Sequence, residues 1–234
     1  MIDYQAMIAP LQSLIQQAAS DELLPRFRQI ERHFKADGSI VTEADIAMQQ
    51  HLTTELQQRW PTIALLGEEM SEAQQQVQMA NSHHGLWVLD PLDGTSNFAA
   101  GIPCFSVSLA LLVGGEVVLG IIYDPLREEH FSAIAGEGAW LNGVRLVAGE
   151  GVLPLSKCIA QVDFKRLPAK MAARIASQPP YSSQRSFGSG ALDWCWLAAG
   201  RVQIYLHGQQ KLWDYSAGQL ILREAGGKSC TLAG

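Results

Sequence analysis

The hexapeptide Asp90-Pro91-Leu92-Asp93-Gly94-Thr95 places two carboxylates three positions apart, directly after the apolar run Leu86 to Leu89. Pro91 fixes the backbone between them, so both acids can be aimed at one point. Paired carboxylates of this kind suit a hard divalent cation. Magnesium takes oxygen ligands from a few carboxylates, keeps several waters and leaves positions open for a substrate phosphate. An Asp-rich turn without any ligand uses the same residue types, because Asp and Gly dominate turns for backbone reasons. For a bare DxxDG that plainer reading leads, and the preceding strand end and Thr95 weaken it only modestly. A second apolar run, Ile63 to Leu66, also ends in acid, at Gly67-Glu68-Glu69. Thr42-x-x-Asp45 has the spacing of a capping box, which would start a helix without any catalysis. His83-His84 has no partner at ligand spacing and reads as loop. Asp124, Glu128, Glu129 and His130 fall at a strand connection and are expected to face solvent.

The elements that must position these residues follow from periodicity. Residues 3 to 19 and 43 to 60 have helical spacing, the second with Ile46, Met48, Leu52, Leu56 and Trp60 and a stop at Pro61. The Gln-rich stretch Ser71 to His84 reads as a loop with room for a short helix. Phe105 to Val113, Val117 to Tyr123 and His130 to Ile134 alternate as strands of an antiparallel meander, broken by Gly114-Gly115-Glu116 and closed by Gly136-Glu137-Gly138 and Asn142-Gly143. After Gly151 the order becomes strand (Cys158 to Val162), helix (Pro168 to Ser177), helix (Ala191 to Ala199), strand (Val202 to Leu206) and helix (Tyr215 to Glu224). No internal repeat is present. A boundary near residue 150 would divide an α+β half, 1–150, from an α/β half, 151–234, although no linker composition marks it.

Composition excludes several function classes. The 234 residues are 47% hydrophobic and 17% charged, the balance of a compact chain that buries a large core without disulfide staples. A formal charge of −6 argues against gripping a nucleic-acid polymer, which needs a clustered basic face. Cys104, Cys158, Cys195 and Cys230 lie far apart with no CxxC pair, so buried thiols in a reducing compartment are expected. Met1-Ile2-Asp3-Tyr4 carries acid where a secretory signal carries basic residues, and no apolar span long enough for a membrane follows. A cytoplasmic protein is expected.

The segment Trp87-Val88-Leu89-Asp90-Pro91-Leu92-Asp93-Gly94-Thr95-Ser96-Asn97-Phe98 resembles the signature of the inositol monophosphatase family. Gly67-Glu68-Glu69 resembles that family's acidic strand end. Leu212-Trp213-Asp214-Tyr215-Ser216-Ala217-Gly218, running on to Glu224-Ala225-Gly226-Gly227, resembles its second signature, and Lys35 to Asp45 extends the similarity over most of the chain. The resemblance implies an α/β (α+β) protein, a layered αβαβα sandwich of the sugar-phosphatase type. It implies a magnesium-dependent, lithium-sensitive phosphomonoesterase in which a metal-activated water attacks phosphate, with a small phosphorylated metabolite as substrate and a homodimer as the assembly. By resemblance the metal ligands are Glu68, Asp90, Asp93, Asp214 and the Leu92 carbonyl. Thr95, backed by Asp45 and assisted by Glu68, activates the water, and Asp93, Gly94, Thr95, Ser189, Gly190 and His207 contact substrate. Lys35 aligns approximately with a family lysine near a further metal position. Four converging carboxylates would repel and protonate unless cations neutralised them, which agrees with that ligand set.

Two departures bear on substrate. His207 stands seven residues before Asp214, where inositol phosphatases carry a glutamate, so inositol 1-phosphate is expected to fit poorly. The chain also ends at Gly234, where relatives usually continue through a final strand and helix, so a truncated or an unusually short member is expected. Histidinol phosphate and 3′-phosphoadenosine nucleotides are the rival substrates. A weakly active member working through protein contacts is the rival from outside enzymology.

Overall fold

In the computed structural model the described residues are 3–29, 33–34, 40–149 and 153–232. The central element is β4 (Leu86–Asp93), whose first seven residues are all buried, as expected of a strand covered on both faces. It lies in a seven-stranded sheet of order β3-β4-β5-β6-β7-β8-β9. The other members are β3 (Ala64–Gly67), β5 (Ser106–Val113), β6 (Glu116–Asp124), β7 (Glu129–Ile134), β8 (Gly138–Leu141) and β9 (Val144–Arg145). β3 and β4 are parallel, with Gly67 paired to Leu89, and every other neighbouring pair is antiparallel. Gly114 and Gly115 both take positive φ, 61° and 85°, and form the tight turn between β5 and β6. The only other described strands outside the second sheet are the paired dipeptides β1 (His33–Phe34) and β2 (Ile40–Val41).

Helices α1 (Tyr4–Ala18) and α2 (Glu43–Arg59) cover one face of the large sheet. Leu11, Ile15, Met48 and Leu52 pack there with Trp87, Leu89, Leu109 and Ile121. The opposite face carries α6 (Gly190–Ala198) and α7 (Leu212–Glu224), where Leu192, Leu220 and Ile221 meet Val88, Ala110, Ile122 and Phe131. Gly120 on β6 lets α7 come flush: a Cβ there would stand 3.0 Å from the Ala217 Cα and carbonyl oxygen. Beyond α6 lies a parallel sheet of order β11-β10-β12, formed by β10 (Ile159–Val162), β11 (Ser183–Arg185) and β12 (Ile204–Leu206). Its outer side is covered by α5 (Ala169–Ser177), through Met171 and Ile175. The layers run αβαβα. The boundary expected near residue 150 falls on residues 150–152, outside the described ones.

The structure corrects several expectations. The room left for a short helix in the Gln-rich stretch is filled, by α3 (Glu72–Ala80), whose start Ser71 and Gln74 cap reciprocally, so less of the stretch is loop than expected. α7 begins at Leu212 rather than Tyr215, which brings Asp214 into its first turn. Asp124 is buried, not solvent-facing: its Oδ1 accepts the N–H groups of Leu126 and Arg127, both at 3.0 Å, and its Oδ2 pairs with the Arg127 guanidinium at 2.7 Å. With its lone pairs satisfied inside the β6–β7 turn, the carboxylate tolerates burial. His130 is half-buried, stacked on Tyr123 at 4.1 Å. Cys104, Cys158 and Cys195 are buried free thiols, whereas Cys230 is exposed.

Candidate active site

Because β3 and β4 run parallel, their C-terminal ends emerge side by side. The Glu68 N–H extends the pairing by donating to the Leu89 carbonyl at 3.1 Å, which sets Glu68 beside Asp90. The β4–β5 register then shifts between Asp90 and Asp93, where Pro91 has no N–H to give the ladder. Asp90 is 1% exposed and its Oδ1 accepts the Leu92 N–H at 3.0 Å. Gly94, at φ 91°, caps α4 (Thr95–Ala100), and a Cβ there would come within 3.0 Å of the Cys104 carbonyl oxygen. The strand end thus turns directly into a helix start at Thr95.

Two further acids tie the end of β4 to the helices on the sheet's other face. Asp93 grips the start of α6: Oδ1 accepts the Gly190 N–H at 3.2 Å, and Oδ2 accepts the Ser189 hydroxyl and the Ala191 N–H, the latter at 2.8 Å. Asp214, in the first turn of α7, accepts the Lys211 N–H at 2.7 Å. The Ser108 hydroxyl, on β5, donates to the Trp213 carbonyl and ties that turn to the large sheet. Burial pushes Asp90 well above the ordinary carboxylate range, and the charges of Glu68, Asp93 and Asp214 push it further. Asp93 is raised by burial, against the pull of its hydrogen bonds from Ser189, Ala191 and Gly190. Asp214 is raised to about 7, first by burial and then by Asp93 and Glu68, with the Lys211 N–H and the Arg166 charge acting against the rise. These acids are near enough to raise one another. Even so, no three of the described His, Cys, Asp or Glu residues close to ligand spacing. The donor set is all hard oxygen, four carboxylates with the Leu92 carbonyl, so it fits magnesium rather than a softer metal.

Beside the cluster stands a hydroxyl with a carboxylate behind it. Thr95 Oγ1 lies 3.0 Å from Asp45 Oδ1 and 2.9 Å from the Leu92 carbonyl oxygen. The other oxygen of Asp45 accepts the Thr42 N–H at 2.7 Å and the Thr42 hydroxyl at 2.6 Å, the reciprocal half of a box that starts α2. Asp45 therefore divides its two oxygens between the helix start and Thr95. It is 1% exposed, and burial raises it to about 6 against the pull of these hydrogen bonds.

His207 is not brought to the cluster. Its Nδ1 accepts the Gln209 N–H at 3.2 Å and its Nε2 lies 3.6 Å from Asp163, with the side chain 13% exposed. Burial lowers its pKa, with Asp163 acting against that and Arg166 adding to it. Lys35 lies outside the described residues. Sequence reasoning missed Asn97, whose amide donates to the carbonyls of Cys104 at 2.8 Å and Phe187 at 2.6 Å, clamping α4 to the loop before α6. It also missed the wall beyond Gly190, where Tyr205, Gln210 and Trp194 are hydrogen-bonded together. Asn97 sits in the signature segment and was available to it; the wall residues carry no local signal.

Comparison with known proteins agrees with this geometry. The model of the inositol monophosphatase family matches residues 3–234. Nus factor SuhB of Pasteurella multocida is 36% identical over 88% of this chain and 76% of its own length. Inositol monophosphatase 1 of Solanum lycopersicum is 36% identical, over 82% of this chain and 72% of its own. The crystal structure of extragenic suppressor protein suhB from Bartonella henselae superposes with a TM-score of 0.80 at 30% identity, covering 95% of this chain and 85% of that one.

Proposed function

Since the chain belongs to the inositol monophosphatase family, we propose that it is a magnesium-dependent phosphomonoesterase acting on a small phosphorylated metabolite. The observation that carries this reading is the raising of buried Asp90 by the charges of Glu68, Asp93 and Asp214, beside a Thr95–Asp45 pair. A buried acidic cluster of this kind costs stability, and a cation is what offsets it. Glu68, Asp90, Asp93, Asp214 and the Leu92 carbonyl would hold the magnesium. When bound, it supplies positive charge for the phosphate and makes water more acidic.

The protein's own residues do the rest. The Gly94 and Thr95 N–H groups, at the start of α4, meet phosphate oxygens. Thr95 gives its one proton to Asp45 and keeps lone pairs with which to orient the attacking water. Asp45, ionised above about pH 6, holds that hydroxyl in the accepting orientation. Glu68 stands beside Asp90 to assist. Ser189 and Gly190, both bonded to Asp93, line the side of the leaving alcohol. Lithium inhibition, a homodimer and a cytoplasmic location belong to the same reading; no described helix is long and apolar enough to cross a membrane.

Phosphate release from inositol 1-phosphate, histidinol phosphate, a 3′-phosphoadenosine nucleotide and phenyl phosphate, with and without magnesium, tests the proposal. Magnesium-dependent release from any of them supports it. No release from any favours the second reading, a protein-contact role, which the Nus factor name of the Pasteurella relative brings into play.

A further inference from the structure

The wall beyond Gly190 holds a hydrogen-bond donor whose direction is fixed by its neighbours. An indole N–H can only donate, and Trp194 Nε1 donates to Gln210 Oε1 at 3.3 Å. That assigns the amide of Gln210: its nitrogen faces the Tyr205 hydroxyl oxygen at 3.0 Å and donates to it. The phenol oxygen therefore receives, and its own proton must point elsewhere. Among the described residues no acceptor is found for it. Trp194 also packs edge-on against the Tyr205 ring, at 5.3 Å and 85°, so the phenol is held in place from two sides.

The hydroxyl stands next to the reacting region. A Cβ placed on Gly190 would meet Gln210 Nε2 at 3.2 Å and the Tyr205 hydroxyl at 3.5 Å, and Gly190 is the residue whose N–H is bound by Asp93. A side chain at 190 would press on the Gln210 amide and only touch the phenol, so both lie within contact distance of the residue that Asp93 holds. Burial, with the charges of Asp193, Asp93 and Asp214, keeps the phenol protonated and thus a donor.

We propose that Tyr205 donates a hydrogen bond to an oxygen of the substrate's alcohol part, so that the site favours polyol phosphates over phosphate esters without such an oxygen. Gln210 and Trp194 act as positioning residues that aim the proton. This inference rests on the phosphomonoesterase reading above. It assigns leaving-group recognition to β12 and the segment after it.

The test compares kcat/KM for a polyol phosphate, either inositol 1-phosphate or glycerol 2-phosphate according to which the wild type turns over, with kcat/KM for phenyl phosphate. Wild type, Tyr205→Phe and Gln210→Leu are assayed with magnesium, and folding is checked by thermal unfolding. The polyol-to-phenyl ratio is expected to fall about tenfold in Tyr205→Phe, the loss of one hydrogen bond to a neutral acceptor. In Gln210→Leu it is expected to fall about threefold, mainly through KM, as the phenol loses its orientation. An unchanged ratio in folded Tyr205→Phe, or an equal fall for both substrates, overturns the inference while leaving the hydrolase reading intact. If Tyr205→Phe does not fold, the ratio in Gln210→Leu decides in the same way. A wild type that releases phosphate from neither ester overturns the hydrolase reading itself, and this inference with it.

Discussion

Asp45→Asn separates catalysis from stability, because the two oxygens of Asp45 have different duties. An amide that turns its oxygen toward Thr42 keeps both capping bonds, at 2.7 and 2.6 Å, and presents its NH2 to Thr95. The Thr95 hydroxyl, 3.0 Å away, must then accept from that NH2 and leave its proton on the Leu92 carbonyl at 2.9 Å. A lone pair that should orient the water is consumed, so kcat is expected to fall by about 10²-fold or more with KM little changed. Stability should move the other way. Burial lifts Asp45 from 3.8 to about 6, so the folded state holds the proton more tightly than the unfolded chain. For a carboxylate raised in this way, stability is highest below pH 4, is lost as pH rises from about 4 through 6, and stays lost above. The shift corresponds to roughly 3 kcal/mol at pH 8, and exposure of only 1% leaves little solvent screening to discount it. The retained bonds to Thr42 lose their charge assistance, which gives back about 1 kcal/mol. A net gain of about 2 kcal/mol, or roughly 4–8 °C in Tm, is expected at pH 8 and should vanish toward pH 4. Steady-state phosphate release and thermal unfolding at pH 4, 6 and 8 provide the measurements. Full turnover combined with a lower Tm at pH 8 would refute the reasoning and leave Asp45 as a helix cap alone.

Other perturbations follow from the same site and from β7 within the large sheet. Thr95→Ala should lower kcat by about 10²-fold or more while the backbone N–H groups still hold phosphate; a change confined to KM would make Thr95 a binding residue. Asp90→Asn removes a buried charge that its neighbours oppose, so without magnesium the variant should unfold at a higher temperature than wild type, yet it should lose both turnover and the Tm rise that added magnesium gives wild type. Turnover within about threefold of wild type, under roughly 0.7 kcal/mol in barrier, would overturn its place among the ligands. His130, held near 4 by burial against 6.5 when free, binds protons more readily in the unfolded chain, so its contribution is intact above pH 6.5 and is lost as pH falls toward 4. His130→Phe should remove about 1–2 kcal/mol of that acid sensitivity, after discounting for its partial exposure, as read from urea unfolding at pH 7 and pH 4.5.

Local patterns carried the elements that place the site. The apolar run before Asp90 announces β4, Gly114-Gly115 announces the β5–β6 hairpin beside it, and Thr42-x-x-Asp45 announces the start of α2, all found within a residue or two. Each is a statement about neighbours in sequence, which backbone preferences govern directly. Partners far apart in sequence were not legible in that way. Nothing near Asp93 reveals that its oxygens will cap a helix at Gly190 and Ala191, and nothing near Tyr205 reveals that Gln210 will turn its proton. Asp124 shows a subtler limit: an acid at a strand end reads as exposed by composition, and only the count of donors closing on its two oxygens in the turn explains its burial. Ser71 and Gln74 did carry their capping signal, but the polar composition around them outweighed it.

Asp214 reaches the acidic cluster on α7, which rests flush on β6 only because Gly120 leaves room for Ala217. During synthesis, therefore, the strands bearing Glu68, Asp90 and Asp93 leave the ribosome and can pair before the helix that completes the set exists. A nascent chain gathers three acids early, under repulsion that grows as burial deepens, and the fourth can arrive only when α7 finds the bare strip along β6. On the magnesium reading, docking of α7 is thus the step that completes the ligand set at the end of β4, and a cation bound by all four acids would favour the docked form.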